Sequence, residues 1–94
     1  MLPAYLMVKI MKRNNRFFLR TVGDTYFLQC SDIYEQRMIF LNETGAFLWE
    51  KVLECETKED LVKELMANYD VQKSIAEKDV EGFLAFLLEN GCLM

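Results

Sequence analysis

Few side chains in this 94-residue sequence could carry out chemistry. It contains no histidine, so the usual general base and the usual zinc ligand are both missing. Its cysteines, Cys30, Cys55 and Cys92, are odd in number, widely spaced and without a C-x-x-C pair, which is typical of reduced thiols rather than of a disulfide framework. We therefore expect no enzyme activity, no metal site and no cofactor.

Polar groups gather at one predicted junction, residues 41–50 (LNETGAFLWE). The apolar run Met38–Leu41 ahead of it is typical of a buried strand, and Asn42 is a good N-cap for a following helix. Apolar residues then recur at helical spacing, at Ala46, Leu48, Trp49, Val52 and Leu53. Gly45 costs about 1 kcal/mol of helix propensity relative to alanine, which predicts close packing against a neighbouring backbone. A helix N-terminus with these residues could bind an anion, but we interpret the stretch as the joint between strand and helix.

Length and composition predict one small globular domain. A chain of this length buries about 60 to 65% of its unfolded surface, and 52% hydrophobic and 28% charged residues are ordinary values. No apolar run approaches the roughly 18 residues of a membrane helix. The first residues also lack the charged front and the cleavage site of a signal peptide. We expect a cytoplasmic protein that does not bind membranes.

Charge is distributed unevenly along the chain. Residues 1–42 carry a net charge of +3 and residues 43–94 a net charge of −7, which makes the domain a poor binder of duplex DNA. Residues 1–15 end in a basic, polar stretch and are predicted to form a flexible tail before a domain at 16–94. Whether residues 1–10 belong to the native protein is left open.

Three strands are predicted in the first half of the domain. The stretches Phe17–Val22 and Thr25–Cys30 are rich in aromatic and β-branched residues. Gly23 and Asp24 separate them, which predicts a hairpin with a type II′ turn, because glycine accepts the positive φ of the first loop position. Met38–Leu41 is the third strand. Three strands need a further element to pack on.

Three helices are predicted to follow. After the helix capped by Asn42, Thr57 precedes an acidic residue by three positions and is predicted to cap a helix over 58–69. Ser74 and Glu77 form an S-x-x-E capping box for a third helix, predicted to stop at a left-handed Gly91. The fold class is therefore α+β in the order β-β-β-α-α-α, which resembles a winged helix-turn-helix with its sheet moved to the front.

The third helix carries more apolar surface than one core requires. One face is predicted to contribute to the core through Val80, Leu84, Leu87 and Leu88. Phe83 lies on the flank of that face, and Phe86 projects far from it, near Asp79 and Asn90. Such a helix is either buried on both sides or offers a surface to a partner.

The third strand is also apolar on both faces. By alternation, Ile39 and Leu41 face one way while Met38 and Phe40 face the other. At a sheet edge, the free backbone groups of this strand could pair with an extended peptide. They could equally pair with a second copy of the chain, or be covered by a loop or by the N-terminal tail.

The stretch LNETGAFLWE, the Thr-capped segment TKEDLVKELMANYD and the segment AEKDVEGFLAFLLENGCL together resemble the PqqD-like family of precursor-recognition elements. The resemblance spans residues 17–94 and is carried by the pattern LN-x-T-G-A-x-x-W and by the Asp-Val before the last apolar run. It implies a three-stranded sheet on three helices and no catalysis. It also implies that the domain binds the leader segment of a ribosomally made precursor peptide and presents it to a modifying enzyme, often a radical SAM protein.

The resemblance further implies which residues bind the leader. In the family, the leader is held as an added strand in a groove between the third strand and the third helix. The implied peptide contacts in this sequence are Arg37, Met38, Ile39, Phe40, Asp79, Phe83, Phe86 and Asn90. The implied determinants of the fold, at the base of the groove, are Leu41, Asn42, Thr44, Gly45, Ala46 and Trp49.

Two other functions remain open at this stage. A winged-helix regulator would bind nucleic acid through exposed lysines, but acidic residues outnumber the lysines of the last two helices. A scaffolding subunit would bind only a folded enzyme. We expect no nucleic-acid partner, and we expect a leader peptide and a peptide-modifying enzyme as partners.

Overall fold

The computed structural model describes residues 12–32, 34 and 37–93. The strands are β1 (Phe17–Val22), β2 (Thr25–Cys30) and β3 (Met38–Leu41), and the helices are α1 (Glu43–Val52), α2 (Lys58–Asn68) and α3 (Lys73–Glu89). This order confirms the predicted α+β fold with three strands followed by three helices. No helix in these ranges is long and apolar enough to cross a membrane.

The sheet is antiparallel in the order β1-β2-β3, so β1 and β3 are its edges. Val22 pairs with Thr25, which leaves Gly23 and Asp24 as the two loop residues. Gly23 has a φ of +61°, and no described non-glycine residue has a positive φ. This confirms the type II′ turn, because a type I′ turn would require a positive φ at Asp24 as well.

The core lies between the inner face of the sheet and the three helices. α1 packs on β2 and β3, and α2 packs on both α1 and α3. The largest fully buried side chains are Trp49, Leu28, Leu48, Leu61, Leu65, Leu87, Val80 and Cys92. Strands and helices each contribute one apolar face, as expected for a domain built from two packed layers.

Two of the predicted helix caps are confirmed, and the third is wrong. Asn42 Oδ1 accepts a hydrogen bond from the Gly45 N–H at 2.7 Å, and Thr57 Oγ1 accepts one from the Asp60 N–H at 2.9 Å. Ser74, however, lies in the first turn of α3, which begins at Lys73 without a side-chain cap. A side-chain cap contributes only about 1 kcal/mol to helix stability. Here α3 begins one residue before Ser74 and buries Ala76 completely.

The C-terminus of α3 confirms the predicted stop at Gly91, whose φ is +73°. The Gly91 N–H donates to the Leu88 carbonyl at 3.2 Å and the Cys92 N–H donates to the Leu87 carbonyl at 2.8 Å, which is a Schellman motif. Leu88 itself was wrongly assigned to the core, since it is 55% exposed. The buried face of α3 instead runs through Ala76, Val80 and Leu87, because α2 covers that side of the helix.

The described part of the predicted tail contacts the domain. Arg13 forms an antiparallel bridge with Leu93, and the Asn14 N–H donates to the Cys92 carbonyl at 2.7 Å. The Arg13 guanidinium lies 4.4 Å from the centre of the Trp49 ring and donates to the Trp49 carbonyl at 3.1 Å. Partial burial lowers the pKa of Arg13, and the nearby Glu50 carboxylate opposes that shift. Residues 1–11 of the predicted tail lie outside the described residues.

Candidate functional site: the groove between the third strand and the third helix

Within the described residues, no strand pairs with the outer edge of β3. β2 and β3 pair with Gln29 opposite Met38 and Leu28 opposite Ile39, and the Cys30 N–H donates to the Arg37 carbonyl. Because hydrogen-bonded pairs alternate along an antiparallel ladder, Ile39 bonds to β2 while Met38 and Phe40 point their N–H and C=O groups away from it. The edge therefore offers two donors and two acceptors to an added strand.

The side chains of β3 divide between two faces, as the alternation predicted. Ile39 is buried in the core and Leu41 packs partly against it. Met38 and Phe40 lie on the outer face of the sheet, where Phe40 is 63% exposed and its ring centre lies 5.9 Å from that of Phe27. An added strand would therefore place alternate side chains on the outer face and between β3 and α3.

α3 runs alongside β3 in the opposite direction. Residues at the C-terminal end of β3 lie near Asp79 and Phe83, and Arg37 at its start bonds to Asn90. Residues 37–42 of an extended strand span about 16 Å, and the eleven helical steps from Asp79 to Asn90 also span about 16 Å. We call the space between residues 37–42 and residues 79–90 the edge groove, and α1 packs beneath it against β3.

One end of the edge groove is closed by a hydrogen bond. The Arg37 Nη2 donates to the Asn90 carbonyl at 2.7 Å, at the C-terminal end of α3. This position suits a cation, because the last carbonyls of a helix carry partial negative charge. The Asn90 side chain donates to the Phe86 carbonyl at 2.8 Å. Both predicted contact residues thus also hold this end of the groove together.

The other end of the edge groove holds a pocket of about 210 Å³. It is lined by Asn42, Thr44, Gly45, Leu48, Asp79 and Phe83. The start of α1 supplies the first residues of this set, and α3 supplies Asp79 and Phe83. Asp79 is exposed, and it has no hydrogen bond or ion pair to any residue in the described ranges. The pocket therefore combines a carboxylate, a hydroxyl group and an aromatic wall.

The three atoms nearest to an added Cβ at Gly45 belong to side chains, whereas the sequence predicted packing against a neighbouring backbone. A Cβ at this position would lie 3.2 Å from Asn42 Oδ1, 3.4 Å from Leu41 Cβ and 3.4 Å from Phe83 Cε1. The missing side chain lets the Phe83 ring approach α1. It is through this approach that α1 and α3 form the pocket.

The structure brings together most of the residues implied by the resemblance. Asp79 and Phe83 meet Asn42, Thr44 and Gly45 in the pocket. Phe86, 36% exposed, lies on α3 between the two ends of the groove. Met38 and Phe40 flank the groove on the outer face, whereas Ile39 is buried beneath it. Ala46 and Trp49 are buried in the core.

Leu48 is a pocket residue that the sequence indicated only as part of the apolar pattern of the first helix. Its side chain is almost completely buried, yet it lines the floor of the pocket. Helical spacing gives a partial signal for this, because Leu48 follows Gly45 by three positions and so lies on the same face of α1. No periodic pattern indicates that α3 leaves that face partly open.

Among the described residues, no three side chains of the types Cys, His, Asp and Glu are gathered in a way that could hold a metal ion. Cys30 and Cys92 are buried, and Cys55 is partly exposed. The groove offers backbone hydrogen bonds, aromatic surface and one carboxylate.

A three-stranded sheet on three helices, with an edge beside the last helix that no described strand covers, defines a small winged-helix-like domain. The chain belongs to the family of coenzyme PQQ synthesis protein D (PqqD), whose family model matches residues 31–93, two thirds of the chain. This confirms the resemblance found in the sequence. None of the curated proteins compared with the chain matches it.

Two solved structures share the fold. TbiB1 in complex with the TbiA(beta) leader peptide is 22% identical, with a TM-score of 0.72 over 87% of this chain and 93% of that one. Lasso peptide synthetase B1 complexed with the leader peptide is 20% identical, with a TM-score of 0.74 over 88% of this chain and 95% of that one. At these identities the likeness concerns the fold.

Proposed function

We propose that this chain is a peptide-binding adaptor without catalytic activity of its own. It binds the leader segment of a ribosomally made precursor peptide as a fourth strand on β3 and presents the precursor to a modifying enzyme, in many systems a radical SAM protein. The observation that carries the proposal is the outer edge of β3, which no described strand pairs with and where Met38 and Phe40 direct backbone donors and acceptors beside an aromatic face of α3.

The physical basis of binding is β-strand addition. Backbone hydrogen bonds supply affinity for any extended peptide, and the side-chain sites beside the strand supply selectivity. Phe86 and Phe83 give the groove side an apolar wall, while Met38 and Phe40 give the outer face another. Membership of the PqqD family, and two similar structures named as complexes with leader peptides, support the same function.

Titration of a fluorescein-labelled leader tests the proposal. The probe is the leader of the precursor peptide encoded beside the gene of this chain, and fluorescence anisotropy measures saturable binding. Binding should protect the amide hydrogens of Met38 and Phe40 from exchange, because those N–H groups become donors to the new strand. A leader that fails to saturate, or that leaves both amides unprotected, contradicts the proposal.

Acidic substitutions test whether leader binding depends on the groove or on exposed apolar surface in general. Phe40→Glu and Phe86→Glu should each weaken leader binding while the circular-dichroism spectrum stays unchanged, because both side chains are substantially exposed. Leu53→Glu is the matched control, since Leu53 is 66% exposed at the end of α1, away from the groove. If the control weakens binding equally, the effect is one of charge and not of the site.

A second copy of the chain is the competing occupant of the same edge. Two β3 strands could pair through the groups that we assign to the leader. Sedimentation velocity at rising protein concentration, with and without leader, distinguishes the two. A groove that serves the leader gives a monomer that binds one peptide. A dimer that persists in saturating leader would contradict strand addition at β3.

A further inference from the structure

Among the described residues that line the pocket at the α1 end of the edge groove, Asp79 is the one with a formally charged side chain. Phe83, Leu48 and Gly45 supply apolar walls, and Thr44 supplies a hydroxyl group. A volume of about 210 Å³ accommodates one long side chain. The pocket therefore places apolar surface beside a carboxylate, an arrangement that suits a methylene stem with a polar head.

No described cationic side chain pairs with the carboxylate of the pocket. Asp79 has no ion pair within the described part of the chain. Lys58 of α2 pairs with a different carboxylate of α3, that of Glu81, at 2.6 Å. At the start of α1, the Gly45 and Ala46 N–H groups already donate to the side chain and the carbonyl of Asn42. Two N–H groups of this helix start are thus already used, and Asp79 supplies the formal charge among the described residues that line the pocket.

We propose that this pocket receives a lysine or arginine side chain of the bound peptide. The inference rests on the proposed function, since it concerns the peptide held on β3. The cationic head of the side chain pairs with the Asp79 carboxylate, and its stem lies along the Phe83 ring and Leu48. An aromatic ring beside the stem favours a cation further when the head lies over the ring face.

The position of the pocket also sets which peptide residue enters it. Side chains of an added strand alternate between the outer face and the groove, and the pocket lies beside the end of β3 near Asn42. The basic residue is therefore a groove-facing one, near the end of the paired segment. A basic residue on the outer face, near Phe40, would not reach Asp79.

The test uses the full chain and the leader of the neighbouring precursor as probe. Asp79→Asn should weaken leader binding by roughly twofold to fivefold, the upper part of the range for an exposed ion pair. Glu77→Gln is the matched control, because it removes the same charge from α3 about 200° around the helix. The difference in leader affinity between the two variants should become smaller in 1 M salt, where the screening of charge interactions is nearly complete.

Leader variants with each basic residue changed in turn to methionine identify the partner. At one position the change should weaken binding to the unaltered chain but not to Asp79→Asn, since the pair is then already lost. Asp79→Lys should reverse the preference, so that a leader with glutamate at that position binds more tightly than the unaltered leader.

The possible failures are distinguishable. If Asp79→Asn binds as well as the unaltered chain, or if no basic residue of the leader is coupled to Asp79, this inference is overturned while the adaptor function stands. If the unaltered chain fails to bind the unaltered leader, both proposals fall together. A thermal melt of each variant, equal to that of the unaltered chain, excludes unfolding as the cause.

Discussion

The guanidinium of Arg37 and the carbonyl of Asn90 are 2.7 Å apart and join the residue before β3 to the end of α3. The two residues are 53 positions apart in sequence. Arg37 also lies with its guanidinium carbon 5.5 Å from the centre of the Phe17 ring. The edge groove is therefore held at one end by a charged side chain that contacts both a helix terminus and an aromatic ring.

Arg37→Ala should loosen that end of the groove. The variant loses a charge-assisted hydrogen bond to a helix C-terminus, which stabilises by about 1 to 2 kcal/mol. Amide exchange of Asn90, Gly91 and Cys92 should become faster, and leader affinity should fall. Arg20→Ala is the control, because Arg20 bonds only to the exposed Gln29 side chain among the described residues. Unchanged exchange at the end of α3 would show that the bond does not hold the helix.

Met38→Pro should remove one outward-facing donor and leave the sheet intact. Proline is tolerated on edge strands where the missing N–H faces away from the ladder, and Met38 is also the first residue of β3. Leader affinity should fall about tenfold, because one backbone hydrogen bond is lost and the proline ring hinders the added strand. Met38→Ala, which keeps the N–H, should bind within about threefold of the unaltered chain. Equal affinities for the two variants would place the peptide elsewhere.

Gly45→Ala and Gly82→Ala should shift stability in opposite directions. Both glycines lie in helices, and alanine has the higher helix propensity by about 1 kcal/mol. At Gly82 nothing lies within 4 Å of an added Cβ, so the substitution should stabilise by about that amount. At Gly45 the Cβ would crowd Asn42 Oδ1 and Phe83, which should destabilise the fold by about 1 kcal/mol or more.

Urea unfolding monitored by tryptophan fluorescence measures both glycine variants, because Trp49 lies in the core. Gly45→Ala should also weaken leader binding, since the contact between α1 and Phe83 forms the pocket. A Gly45→Ala variant as stable as Gly82→Ala would mean that Phe83 moves freely, and the pocket would then not depend on the glycine.

Cys55 should react slowly with thiol reagents near neutral pH. Partial burial raises the pKa of its thiol, and the carboxylates of Asp60, Glu64 and Glu54 raise it further. Because the thiolate is the reactive form, a raised pKa means a smaller reactive fraction at any pH below it. Iodoacetamide labelling followed by peptide mass spectrometry measures the labelling rate of Cys55. This rate should increase with pH over a higher pH range than the rate of free cysteine does. Labelling as fast as free cysteine at pH 7 would contradict the raised pKa.

The buried thiols provide the internal control for that measurement. Cys30 and Cys92 are buried in the core, so they should label only when the protein unfolds. Glu64→Gln should lower the pKa of Cys55 and speed its labelling, because it removes one of the carboxylates that disfavour the thiolate.

Local patterns in the sequence determined the elements of this fold. The strands Phe17–Val22, Thr25–Cys30 and Met38–Leu41 occur with the predicted bounds, and Asn42, Thr57 and Gly91 end or begin helices as predicted. Alternation, caps and turn residues depend on hydrogen bonds and φ angles within a few positions of one another. Interactions over so few positions can be predicted from a single sequence.

Only the tertiary structure decided how those elements meet. Ser74 is a good capping residue that is not used, and Leu88 is a large apolar residue that is exposed, because the packing of α3 against α2 sets where that helix begins and which face it buries. The bond from Arg37 to Asn90, and the pocket that joins Thr44 to Asp79, link segments far apart in sequence. No periodic pattern encodes such a meeting, since it depends on the volumes and directions of side chains in a finished core.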